Sequence, residues 1–104
     1  MSTAPQLQTY VIRRRHGWKS AEELEAAAAK SGAIGDNEMS DDIRWIRSYV
    51  LAEDDGSLGT VCIYQASSPE KIREHAERVG MPADEITSVA DTVIVRQDPE
   101  GGAA

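Results

Sequence analysis

Residues 43–80 read IRWIRSYVLAEDDGSLGTVCIYQASSPEKIREHAERVG and carry the clearest pattern in the chain. Two runs rich in β-branched and aromatic residues, 43–51 and 59–66, flank the polar segment 53–56. Such runs favour strands, and a short acidic segment that ends in glycine favours a tight turn. The stretch therefore predicts a β-hairpin, and a helix follows it at once.

The helix predicted after the hairpin has well-marked ends and one apolar face. Pro69 suits the first helical position, because its missing amide hydrogen is not needed there, and Gly80 followed by Met81 and Pro82 stops the helix. Helical spacing places four residues on one face: Ile72, His75, Ala76 and Val79. We therefore expect His75 to be at least half buried.

The N-terminal half predicts a strand and then a second helix. Residues 8–16 alternate as a strand ended by Gly17, and one of its faces carries Tyr10, Ile12, Arg14 and His16. Ser20 to Glu23 form a capping box, and the helix that they open is expected to end at Gly32.

Three consecutive arginines, Arg13 to Arg15, form the one basic run in the chain. In a strand they point alternately to opposite faces and cannot form a continuous patch. We interpret them as solvated or ion-paired strand charges, with binding of an anionic ligand as the alternative.

The sequence also predicts which residues share a face in the hairpin strand 43–51, and it predicts a last strand at 86–96. Regular alternation would place Trp45, Arg47, Tyr49 and Leu51 on one face of the first, with Ile46 and Val50 on the other. Since neither face is wholly polar, both are expected to be covered. The later strand is centred on Val93, Ile94 and Val95.

The predicted order βαββαβ corresponds to an α+β, ferredoxin-like fold, a four-stranded antiparallel sheet with two helices on one face. We expect one such domain over residues 8–97, with flexible tails at 1–7 and 98–104. The open face of the sheet would be too apolar to stay wet, so we predict that it packs against a second copy in a homodimer.

Composition excludes several classes of protein. The 104 residues carry a formal net charge of −7, which argues against nucleic-acid and anionic-membrane partners. The single cysteine cannot form an intramolecular disulfide, no stretch looks like a signal peptide or a membrane span, and a cytoplasmic location is expected. No phosphate-binding glycine loop, Ser-His-acid set or paired carboxylates can be discerned.

The segments IRWIRSYV, VCIYQAS and IREHAERVGMPADEITSV, within residues 10–89, make the chain similar to a known family. This small bacterial family was long catalogued only as a domain of unknown function, and a described member binds nickel. The resemblance implies a dimeric α+β barrel and binding of nickel or another divalent transition metal. Through the matching Cys-x-Tyr-x-Ala and His-Ala-x-x-x-Gly segments, it implies Cys62 and His75 as candidate ligands, a donor pair that suits nickel.

Further ligands would be needed, and His16, Met39, Glu74, Glu77 or a second copy could supply them. Each candidate also has an ordinary structural interpretation. Cys62 could be a small buried apolar residue and His75 a hydrogen-bonded core histidine, while His16, before Gly17, is expected to be exposed.

Two other functions compete with metal binding. The first is a cofactor-independent enzyme that uses His75 as general base on a small aromatic or polyketide-like substrate. Its pocket would be built from Trp45, Arg47, Tyr49 and Tyr64. The second is a partner protein whose open sheet face docks onto another molecule.

Overall fold

The computed structural model describes residues 6–83 and 85–99. Their secondary structure runs β1 (Gln8–Trp18), α1 (Ala21–Asn37), β2 (Ile43–Ala52), β3 (Leu58–Ala66), α2 (Pro69–Val79) and β4 (Glu85–Ser88). The sheet has the order β2-β3-β1-β4, and all neighbouring strands are antiparallel. The predicted ferredoxin-like fold is therefore confirmed. Of the two predicted tails, residues 1–5 and 100–104 lie outside the described residues, as does Asp84.

The hydrophobic core lies between the sheet and the two helices. Its sheet side is built from alternate residues of β1 and β3, among them Ile12, Cys62 and Tyr64, and Ile34 and Ile72 contribute from the helices. The predicted inward face of α2 is confirmed, since Ile72, His75, Ala76 and Val79 are all buried. Within the described ranges, neither helix has the length and apolar character needed to cross a membrane.

The ends of α2 follow the sequence signals closely. The Ser68 side chain accepts a hydrogen bond from the Lys71 amide, Pro69 begins the helix, and Gly80 ends it with φ of 86°. This left-handed conformation is one that glycine adopts without a steric penalty. The capping residues at its two ends are therefore sufficient to define the bounds of this helix.

Helix α1 is longer than predicted, because it continues through Gly32 to Asn37. The prediction of a stop at Gly32 is wrong. Ser31, Ile34 and Gly35 are buried in this last part of the helix, and a Cβ atom placed on Gly35 would lie 3.6 Å from Nε2 of His75. Packing of α1 against α2 thus outweighs the ~1 kcal/mol helix penalty of a glycine.

Strand β1 passes beyond its predicted end at Gly17 with an irregularity. Its register against β3 shifts between Arg14 and Trp18, and His16 has φ of 52°, a value uncommon for residues other than glycine. Tyr10, Ile12 and Arg14 share one face as predicted, and this face is buried under the helices, whereas His16 is exposed and leaves that face.

Strand β2 contains a second register shift, between Trp45 and Arg47. The predicted regular alternation is therefore wrong after Trp45. Trp45 pairs with Tyr64 and Ser48 with Cys62, on the helix side, whereas Arg47 and its neighbour Tyr49 pair with residues of the open face. Coverage of both faces is not reached within one chain, because Trp45, Ile46, Tyr49 and Val50 remain 40 to 53% exposed.

The last strand is much shorter than the predicted 86–96. β4 ends at Ser88, and Val93, Ile94 and Val95 are 76 to 85% exposed and not in a strand. Ser88 pairs with Tyr10 and the Val89 amide still donates to the Thr9 carbonyl oxygen, but β1 begins at Gln8, so Val93 to Val95 lie beyond the start of that strand. A β-branched run without a partner cannot form a ladder, which explains the failed prediction.

Candidate functional site

A buried polar cluster joins α1, β3 and α2. The Ser31 hydroxyl lies 3.0 Å from the Tyr64 hydroxyl, and Nε2 of His75 lies 3.1 Å from the Ser31 carbonyl oxygen. A carbonyl can only accept, so Nε2 carries the proton and donates it. Nδ1 therefore holds a lone pair, and it is buried with no hydrogen-bond partner among the described residues.

The protonation states of this cluster follow from its burial. Burial lowers the pKa of His75 below its ordinary value, and the Ser31 carbonyl only partly opposes this effect. Burial also raises the pKa of Tyr64. At neutral pH the cluster therefore consists of a neutral imidazole and a neutral phenol, which is the state expected for a hydrogen-bonded core.

Cys62 lies on the same, helix-covered side of the sheet as His75 but has other partners. Its sulfur accepts a hydrogen bond from the Ser48 hydroxyl at 3.0 Å and donates to Thr60 Oγ1 at 3.3 Å. Residues 6–83 and 85–99 contain no group of three His, Cys, Asp or Glu side chains that could hold a metal ion. The described residues therefore bring no third ligand of this kind to Cys62 and His75.

His16 does not belong to the buried cluster and lies on the exposed irregularity of β1. Its Nδ1 is 3.1 Å from Asp55 Oδ1 and 3.0 Å from the Ser57 hydroxyl oxygen, and its amide donates to Glu53 Oε2 at 3.0 Å. The hairpin turn between β2 and β3 thus holds both the ring and the backbone of this residue.

The carboxylates around His16 are ionised. Hydrogen bonds from the Ser57 hydroxyl and amide lower the pKa of Asp55 to about 2. The pKa of Glu53 is also lowered, chiefly by the His16 amide. Because the Ser57 hydroxyl already donates to Asp55, Nδ1 is the ring nitrogen that can donate to the Asp55 carboxylate, and in the neutral ring with this tautomer Nε2 holds the lone pair.

The arrangement around His16 depends on the absence of a side chain at Gly59, where the Arg14 carbonyl and the Glu53 carboxylate come close. A Cβ atom on residue 59 would lie 2.6 Å from the carbonyl oxygen of Arg14 and 2.8 Å from Nη1 of Arg13, and it would also overlap the Glu53 carboxylate. Only glycine leaves room for Glu53, which accepts from Arg13 at 3.1 Å as well as from His16.

The predicted pocket of Trp45, Arg47, Tyr49 and Tyr64 is divided between the two faces of the sheet. Trp45 stacks on Tyr64 with ring centroids 6.1 Å apart, on the helix side. Arg47 and Tyr49 lie on the open face, where both bind the carboxylate of Asp98. The register shift in β2 is the cause, because it reverses the alternation after Trp45.

A cavity of about 200 Å³ lies between α1 and the sheet. Trp45 and Tyr64 line it, but His75 does not. A general base must come within hydrogen-bond reach of its substrate. The enzymatic hypothesis with His75 as base therefore finds no support in this geometry.

The same cavity is lined by Arg14, which sequence reasoning did not select as a site residue. Its side chain is only 1% exposed. The signal was present in the alternation of β1, which places Arg14 on the same face as Tyr10 and Ile12. A charged residue in an apolar stripe is a feature that such a pattern can reveal.

Comparisons with known proteins agree with the fold and name a family. The crystal structure of SCO4226 from Streptomyces coelicolor A3(2) matches with a TM-score of 0.65 and 21% sequence identity, over 82% of this chain and 99% of that chain. This similarity shows the fold. No curated protein matches the sequence. Residues 10–89 match the family described as nickel responsive protein SCO4226-like, and the chain therefore belongs to that family.

Proposed function

We propose that this protein is a homodimeric nickel-binding protein that holds the ion at His16. The observation that carries the proposal is the exposed imidazole whose Nδ1 faces the ionised Asp55, an arrangement that leaves Nε2 as the ring nitrogen for a metal ion. Family membership supports a function related to nickel. The free thiol of Cys62 is in keeping with a reducing, cytoplasmic setting, which belongs to the same proposal.

The chemistry of His16 fits a nickel ion better than that of the two buried candidates. Imidazole nitrogen is a suitable donor for nickel. A histidine that binds metal usually donates its other ring N–H to a carboxylate, which fixes the tautomer and strengthens the donor. His16 has this partner in Asp55, and its ring is half exposed, so a hydrated ion can reach it.

His16 would supply one ligand, through Nε2, and the remaining positions fall to water or to a second copy. This division follows from the described part of the chain, which offers no complete cluster of ligands. A site of this kind exchanges its ion readily, as a protein that responds to nickel levels requires.

Dimer formation is supported by apolar side chains that one chain leaves partly uncovered. Val11 and Ile63 lie on the open face of the sheet, in a wide groove that also includes the exposed Ile46. A contiguous apolar patch on one face of a sheet is typical of a protein–protein interface. Sedimentation equilibrium should therefore give a mass near twice the 11.3 kDa of one chain, and a monomer at all concentrations would contradict this part of the proposal.

The nickel site is tested by calorimetry of protein made without a histidine tag. His16→Asn removes the imidazole but retains a residue that tolerates a positive φ, and it should abolish the heat of nickel binding. Asp55→Asn should weaken binding by roughly 10-fold to 100-fold, the usual effect of losing such a partner.

Cys62→Ala and His75→Gln are the matched controls, because they alter the buried candidates. Both should bind nickel as the parent does. Loss of binding in either control, with His16→Asn unaffected, would assign the ion to the buried residues and contradict the proposed site.

A further inference from the structure

The cavity beneath α1 combines apolar walls with one buried charge. Its walls include Trp18, Leu24, Ala28, Trp45 and Met81, and Arg14 forms part of its floor. With Arg14 only 1% exposed, the guanidinium is removed almost entirely from bulk water.

Arg14 uses only part of its hydrogen-bonding capacity. Nε donates to the Pro82 carbonyl oxygen at 2.6 Å, and the guanidinium carbon lies 5.9 Å from the centre of the Tyr64 ring. Nη1 and Nη2 are buried and have no hydrogen-bond partner among residues 6–83 and 85–99. No described carboxylate lies within ion-pair distance, in contrast to Arg13 and Arg15, which pair with glutamates.

Burial of an unpaired charge is costly, and proteins normally pair such a group or bind a ligand to it. Here the two unused nitrogens belong to one planar fork. That fork matches the two oxygens of a carboxylate, and a bidentate pair of this kind is among the strongest hydrogen-bonded contacts in proteins.

We propose that this cavity binds a small organic monocarboxylate, whose carboxylate pairs with the Arg14 guanidinium once that side chain turns Nη1 and Nη2 towards the cavity, while the apolar body lies along the wall of α1. The volume sets the size of that body. An apolar cavity of roughly 150 Å³ admits benzene, so about 200 Å³ admits one ring with its carboxylate, or a short aliphatic acid. Nickel binding at His16 is not required for this site.

Two other occupants of the fork must be distinguished from a ligand. The exposed side chain of Glu25 also lines the cavity, and a change of rotamer could bring its carboxylate towards Arg14. Water could also solvate the two nitrogens. The experiment therefore includes Glu25→Gln and an uncharged analogue of the ligand.

The test is an NMR titration of the full chain with benzoate, read at the indole N–H signals of Trp18 and Trp45. We expect saturable shifts of both signals with benzoate. Benzamide, which has the same shape without the charge, should bind at least about tenfold more weakly. Inorganic phosphate, which has no apolar body, should leave both signals unchanged.

Variants then assign the binding to Arg14. Arg14→Met should weaken benzoate binding at least about tenfold, whereas the matched substitution Arg15→Met, on the other face of β1, should leave it unchanged. Ala28→Leu fills the cavity without touching the charge and should also abolish binding. This second variant decides the matter if Arg14→Met does not fold.

Several results would overturn the proposal. One is equal affinity for benzoate and benzamide, and another is unchanged benzoate binding by Ala28→Leu. A third is the absence of saturable shifts with benzoate and hexanoate up to about 10 mM, beyond the millimolar range of weak ligands. Benzoate binding by Glu25→Gln but not by the parent would show that the Glu25 carboxylate occupies the guanidinium of Arg14 in the parent.

Discussion

The hydrogen bond between Ser31 and Tyr64 offers a direct test of the buried cluster, because each partner can be removed separately. The two hydroxyl oxygens are 3.0 Å apart and fully enclosed between α1 and β3. If the cluster holds the core together, Ser31→Ala and Tyr64→Phe should each lower the free energy of unfolding, and their effects should be coupled.

The expected magnitudes follow from what each substitution leaves behind. Ser31→Ala leaves the buried Tyr64 hydroxyl without its partner, which costs about 1 to 3 kcal/mol. Tyr64→Phe should cost less, about 1 kcal/mol, because a helical serine can turn its hydroxyl to the carbonyl four residues earlier. The double variant also removes the orphaned hydroxyl, so it should cost no more than Ser31→Ala alone, which gives a coupling energy of at least about 1 kcal/mol.

Urea unfolding at one fixed protein concentration measures these differences. A slope of about 1 to 1.5 kcal/mol per molar urea converts a loss of about 2 kcal/mol into a midpoint shift between 1 and 2 M. Tyr49→Phe is the matched control, because the hydroxyl of Tyr49 is exposed and should not move the midpoint. Strictly additive costs for the two single variants would refute the reasoning.

Two further outcomes are expected from the protonation state of His75 and the tight contact at Gly59. Because burial lowers the pKa of His75, the unfolded chain takes up a proton near pH 6.5 that the folded chain does not, so stability falls below that pH. The fall should reach at most about 1.4 kcal/mol per pH unit in urea titrations, and His75→Gln should flatten it. Gly59→Ala should cost about 1 to 3 kcal/mol, since its Cβ would lie 2.6 Å from the Arg14 carbonyl. Gly17→Ala, with its nearest contact at 3.7 Å, should unfold as the parent does.

Features set by a few neighbouring residues could be predicted from the sequence. The serine, proline and glycine at the ends of α2, and its apolar spacing, lead directly to the observed helix and to the burial of His75. The hairpin of β2 and β3 follows in the same way from two strand-like runs around a polar turn. In each case the local preference and the tertiary packing favour the same conformation.

Features decided by distant contacts could not be predicted. Gly32 resembles a helix end, but the packing of residues 31–35 keeps α1 helical. Val93 to Val95 resemble a strand centre, but β1 offers them no pairing partner. The register shift after Trp45 reverses which side chains face the helices, and nothing in the local sequence marks it. The predicted pocket failed for this reason.

The irregularity in β1 links the two proposed sites. In a regular strand, Arg14 and His16 would face the same side, since residues two apart share a face. The register shift and the positive φ of His16 separate them, so that Arg14 lines the cavity and the imidazole of His16 reaches the hairpin turn. Glu53 stabilises this conformation by accepting from the His16 amide and from Arg13.

Because Arg14 and His16 are separated, the two proposed sites differ in the charge of the ligand that they favour. The ionised Asp55 beside His16 attracts a cation and repels a carboxylate. The buried guanidinium of Arg14 does the reverse, and the low polarity of its surroundings strengthens the effect. Under the two proposals, a nickel ion and an organic acid would therefore bind to the end of one strand without competition, each at the site that excludes the other.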